Sequence, residues 1–149
     1  MKPIKSFEEF IQKGVVKKQS LNKSRADFLV KQAKQDYEYL LELIKKIPIK
    51  DSNANNYIKN CYDILMGLVR AKMLLDGYNA SGFGAHEAEI SYLGFLGFKE
   101  KEILFADKLR FFRNGILYYG TILDKEYAEK TIEFTKKSFQ KLKKVLNSN

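Results

Sequence analysis

ANNYIKNCYDILMGLVRAKMLLDGY, residues 54–78, carries two apolar lines where most helices carry one. Tyr57, Cys61, Ile64, Leu65, Leu68 and Leu75 recur three and four apart. Ile58, Tyr62, Met66, Val69 and Met73 run beside them. A single line at this spacing marks a helix packed on one side. Two lines mark a helix covered on both sides, as at the centre of a bundle or in a dimer interface.

The flanking sequence supplies helices to cover it. Residues 22–47 form a second helix, with Ala26, Leu29, Val30, Ala33, Tyr37, Leu40, Leu41, Ile44 and Ile47 on one stripe and Pro48 as its stop. A short helix starts at Phe7, where Ser6 and Glu9 make a capping box, and Gly14 stops it after about residue 13. After the glycine-rich connection 79–84 come a helix over 85–96 ended by Gly97, one over 99–123 and a last one over 125–146. The loop at 79–84 lacks the lysine and hydroxyl residue of a phosphate-binding loop and follows no strand. Strand-like alternation is rare throughout. The expectation is all-α: an antiparallel bundle of about five to six helices, a single domain over residues 1–149.

Composition agrees. Apolar residues are 45% and aromatics 13% of the 149, enough for one core and too many for a disordered chain. One cysteine, Cys61, excludes an internal disulfide and leaves no cysteine pair for a metal; no metal site and no cofactor are expected. No apolar run reaches the ~18 residues of a membrane span. Residues 1–6 lack the apolar stretch of a signal peptide, so a cytoplasmic protein is expected.

The net charge of +9 is uneven. Residues 1–50 hold twelve Lys/Arg against six Asp/Glu, residues 51–123 eight against eight, and residues 124–149 seven against four. A basic surface favours polyanions such as RNA. Twenty-three of the 27 cations are lysine, however, the residue that coats any solvated helix; only four are arginine. An RNA-facing surface and ordinary solubilising lysines both remain open.

Function is expected to concentrate on the helix at 99–123. Phe105, Leu109, Phe112, Ile116 and Leu123 form its core stripe. Asp107, Arg110, Asn114 and Tyr118 follow at three, four and four, which stacks them into a polar line with Arg113 beside it. The bland alternative is an exposed Asp107–Arg110 ion pair, a bracing Arg113, and tyrosines 118 and 119 as packing residues. Gly115 interrupts the helix at about 1 kcal/mol relative to alanine, which implies a close approach there. With Phe111 beside it, that approach is expected from a second helix, one of another subunit included.

The segment Arg113-Asn114-Gly115-Ile116-Leu117-Tyr118-Tyr119-Gly120, on the penultimate long helix of a small bundle, resembles the signature of HEPN domains. Leu74-Leu75-Asp76-Gly77-Tyr78 resembles the end of the corresponding helix in small prokaryotic members. These are mostly dimeric helical bundles. Many are RNases or RNase toxins paired with nucleotidyltransferase antitoxins. The family motif is an arginine, often followed by asparagine, then four to six residues to a histidine. Arg113 and Asn114 match; the histidine falls where this chain has Tyr118, Tyr119 and Gly120.

The resemblance implies a homodimeric RNA- or nucleotide-binding domain of the toxin–antitoxin type, with Arg110, Arg113, Asn114, Tyr118 and Tyr119 on the nucleic acid and Gly115 and Phe111 at an interface. Efficient RNase activity is not expected, because tyrosine, with a reference pKa near ~10, is a poor neutral-pH base where histidine, near ~6.5, is a good one. Two alternatives stay open. One is a metal-independent ribonuclease in which Arg113 works with Tyr118 or with His86, the only histidine. The other is a non-catalytic module that docks a nucleotidyltransferase-like partner.

Overall fold

Helix α3, Ala54–Leu75, is the hub: α2 (Lys23–Lys46), α5 (Glu100–Tyr119) and α6 (Lys125–Asn147) all pack against it in the computed structural model, which describes residues 4–147 apart from the side chain of Tyr118. The double apolar line therefore belongs to the centre of a bundle within one chain. Ile58, Cys61 and Val69 have no exposed surface, and Tyr57, Tyr62, Leu65 and Met73 are buried with them. Two shorter helices, α1 (Phe7–Gln12) and α4 (Ala85–Ser91), complete the all-α, antiparallel bundle, with a 3-10 turn over Tyr92–Leu96 continuing α4. No helix among the described residues is long and apolar enough to cross a membrane.

Local chemistry sets the ends. Ser6 Oγ accepts from the Glu9 N–H at 3.3 Å and starts α1, and Asn22 Oδ1 accepts from Arg25 N–H at 3.1 Å and starts α2. Ile47, expected on the α2 stripe, is 48% exposed. It is the residue after the helix, and its carbonyl accepts a 2.6 Å hydrogen bond from Tyr57 Oη, so its backbone is used and its side chain is not. On α6 the core contains three hydroxyls that apolar periodicity passes over. Thr131 and Thr135 each donate at 2.8 Å to the carbonyl four residues back, which satisfies the hydroxyl within the helix, and Ser138 is buried without a partner.

The sequence expectation placed residues 76–78 in α3 and no strand anywhere; both points are corrected. The helix stops at Leu75 because Gly77 takes φ +87°, where a Cβ would also lie 3.1 Å from the Gln19 carbonyl oxygen. Tyr78–Ala80 then forms a strand, β2, antiparallel to β1 at Val16–Lys18, with Val16 opposite Ala80 and Lys18 opposite Tyr78. This two-stranded clip ties the segment after α1 to the end of α3. The phenyl ring of Phe7 seals it, edge-on to Tyr78 at 5.1 Å and against Tyr92 at 4.7 Å. Helix α5 likewise ends at Tyr119, short of 123, with Gly120 at φ +68° as its cap.

Candidate nucleic-acid interface

The polar line on α5 is a real feature, and most of it is half-buried against α3 and α4. Arg110 Nε donates to Asp107 Oδ1 at 2.8 Å, and Arg110 Nη1 lies 3.9 Å from Glu87 Oε1 on α4. Asp107 is 5% exposed, so the pair is not an exposed surface ion pair. Both partners stand on α5, and only the longer Glu87 contact reaches α4; a carboxylate at the depth of Asp107 without its arginine would be an uncompensated charge.

Arg113 is one turn further on. Its Nη2 lies 3.2 Å from Asp63 Oδ1 on α3, and its guanidinium sits over the Tyr62 ring, 5.7 Å from the centroid. Its Nε is buried and makes no hydrogen bond. An exposed carboxylate and an aromatic face thus hold the side chain in place, 27% exposed. Asn114, half-buried beside it, makes no side-chain hydrogen bond to any described residue. Phe111 is 64% exposed and Tyr119 85%. Tyr118 lies in the last turn of α5, and its side chain is outside the described part of the structure.

The close approach expected at Gly115 comes from the same chain. Past Gly120 the backbone turns back, Thr121 N–H donates to the Gly115 carbonyl at 3.1 Å, and a Cβ on Gly115 would meet Thr121 Oγ1 at 2.5 Å. Asn55 on α3 locks that turn from both sides: its Nδ2 donates to the Thr121 carbonyl at 2.8 Å and its Oδ1 accepts from Leu123 N–H at 2.9 Å.

His86 is not brought to Arg113. From the first turn of α4 its Nδ1 faces Glu89 Oε1 at 3.1 Å and Arg70 Nη2 at 3.4 Å. Arg70 grips the same carboxylate with two groups, Nε to Oε2 at 2.6 Å and Nη2 to Oε1 at 3.1 Å. Between this cluster and the α5 line lies the buried hydroxyl of Tyr62, which has no hydrogen-bond partner. Burial pushes its pKa up and the Glu89 carboxylate adds to that, while the guanidinium groups of Arg70, Arg110 and Arg113 act against it. Three of the four arginines in the chain thus act electrostatically on one tyrosine, and Arg113 alone touches its ring.

Tyr62, Asp63, Arg70 and Glu89 were not singled out from sequence. A signal existed: arginine is scarce here, and Arg70 stands on a helix whose apolar lines leave it no place in the core. Cys61 takes no part, since burial pushes its thiol up to about 12, and a protonated buried thiol is inert. Among the described residues no group of three or more His, Cys, Asp and Glu side chains is placed to hold a metal ion. No family model, no curated protein and no solved structure matches this chain.

Proposed function

We propose that this chain is a HEPN-like RNA-binding domain that acts as a homodimer, holds single-stranded RNA on its α5 face and does not cleave it efficiently. The observation that carries the reading is Arg113. In the segment that resembles the family signature, its partly exposed guanidinium is held by Asp63 and Tyr62 and stands beside Asn114, whose side chain bonds to no described residue. An exposed aromatic on the same helix, Tyr119, offers a surface on which a base stacks. Cleavage lacks support because the histidine of the signature is replaced and His86 is engaged with Glu89 and Arg70.

The test is fluorescence anisotropy with a labelled single-stranded RNA, in chelator, at two salt concentrations. Binding is expected to weaken with salt and to fall about tenfold in Arg113→Ala, the loss of one charge-assisted contact. The RNA is expected to stay intact. Cleavage abolished by Arg113→Ala would replace this reading with the ribonuclease. Absence of both binding and cleavage, with stable association to a co-expressed nucleotidyltransferase-like protein, would replace it with the docking module.

A further inference from the structure

A cleft of ≈ 300 Å³ opens between the start of α2, the last turns of α3, strand β2 and the start of α4. Its floor is apolar, made by Leu29, Met73 and Leu74, and polar groups stand round it: Arg25, Arg70, Glu89 and the imidazole of His86. Glu89 does not make the cleft anionic. Both its oxygens are occupied by Arg70, and one of them also by His86, so the carboxylate acts as a fixed mount for a guanidinium and an imidazole. Arg25 pairs with no carboxylate among the described residues and leaves one positive charge uncompensated.

The fourth wall is backbone. Gln19 N–H donates to the Gly77 carbonyl and Ser81 N–H to the Val15 carbonyl, which makes 77, 79 and 81 the residues bonded to β1. Antiparallel alternation then turns the N–H and C=O groups of Tyr78 and Ala80 the other way. Tyr78, Asn79 and Ala80 all line the cleft and no β1 residue does, so the cleft lies on the open side of β2. Both residues are half-buried, and neither backbone is bonded to a described residue on that side. Half-buried, unpaired strand groups call for a partner.

An open strand edge, an apolar floor and a pair of arginines in one cleft match the three parts of a chain terminus: main chain, last side chain and carboxylate. We propose that the cleft binds the C-terminus of a partner polypeptide. The peptide adds antiparallel or parallel to β2 through Tyr78 and Ala80, places an apolar last side chain on Leu29, Met73 and Leu74, and gives its terminal carboxylate to Arg25 and Arg70. This site uses residues distinct from Arg113 and Asn114 and stands or falls apart from the RNA reading.

The test uses the full chain, immobilised, and a library of peptides displayed with free C-termini and randomised over their last residues. Enriched sequences are expected to end in an apolar residue. A synthetic peptide of the enriched sequence is expected to lose about tenfold or more in affinity when its terminus is amidated, and similarly with Arg25→Ala, whose side chain is exposed and free of structural bonds. Ala80→Pro, which removes an N–H facing away from β1, is expected to weaken binding while circular dichroism stays unchanged. Arg113→Ala is expected to leave peptide binding unaffected. No enrichment, equal binding of amide and acid, or equal binding by Arg25→Ala would overturn the proposal. So would enrichment of internal acidic motifs that ignore the terminus.

Discussion

Two buried tyrosines on α3, five residues apart, make opposite use of their hydroxyls. Tyr57 Oη lies 2.6 Å from the Ile47 carbonyl and 3.2 Å from that of Leu43, closing the end of α2. Tyr62 Oη is buried with no partner among the described residues. A hydroxyl that is satisfied contributes stability; one that is desolvated and unpaired costs it. Tyr57→Phe is therefore expected to destabilise the protein by about 1–2 kcal/mol, and Tyr62→Phe to leave it unchanged or stabilise it by up to about 1 kcal/mol. Urea unfolding of the two variants beside the parent protein measures both. Equal losses would show that the Tyr62 hydroxyl has a partner in solution. Because Tyr62→Phe keeps a ring beneath Arg113, it is also expected to leave that guanidinium in place.

At the scale of the element, what was legible in the sequence was what is periodic. The double line on α3 marks a helix covered on two sides, at a bundle's centre or in a dimer interface, and the cap at Ser6 marks the start of α1. Residues 76–80 were not legible, because the strand there exists only through its partner at Val16–Lys18, some sixty residues away, and a three-residue strand leaves no period to read. The α5 polar line was legible as a spacing, but its partners were not, since Asp63, Glu87 and Tyr62 come from helices whose packing brings them there. Gly115 was legible as a close approach and not as an approach by Thr121. That contact makes a prediction. Alanine at 115 gains about 1 kcal/mol of helix propensity, but its Cβ would sit 2.5 Å from Thr121 Oγ1, in a turn that Asn55 holds still. Gly115→Ala is thus expected to lose about 1–2 kcal/mol overall, an overpacking cost. In a Thr121→Gly background the same substitution is expected to be neutral or stabilising. A thermal-melt double-mutant cycle reads the coupling, and additivity of the two changes would sink this account.

At the scale of the whole molecule, charge is uneven along the chain. The excess of +6 in residues 1–50 and +3 in 124–149 falls on the segments holding α1, α2 and α6, while the segment holding α3, α4 and α5 is neutral. The neutral segment also carries exposed apolar side chains in quick succession at the end of α5: Phe111, Leu117 at 46%, Tyr119 and Ile122 at 82%. Two copies of a +9 body repel each other everywhere except where the charge is balanced. The end of α5 is therefore where two copies would meet with least repulsion, with Phe111, Leu117 and Ile122 as the core of an interface that needs about 1,200 Å² or more in total. The expectation is a dimer by sedimentation velocity, converted to monomer by Phe111→Ser with Ile122→Ser while helicity is retained. Salt separates this contact from RNA binding. Screening removes the repulsion between the copies, so the dimer is expected to hold or tighten as salt rises, whereas the RNA complex weakens over the same range. A parent protein that stays monomeric from micromolar to millimolar concentration would overturn the dimer, and a dimer that dissociates with salt in step with RNA release would place the interface elsewhere.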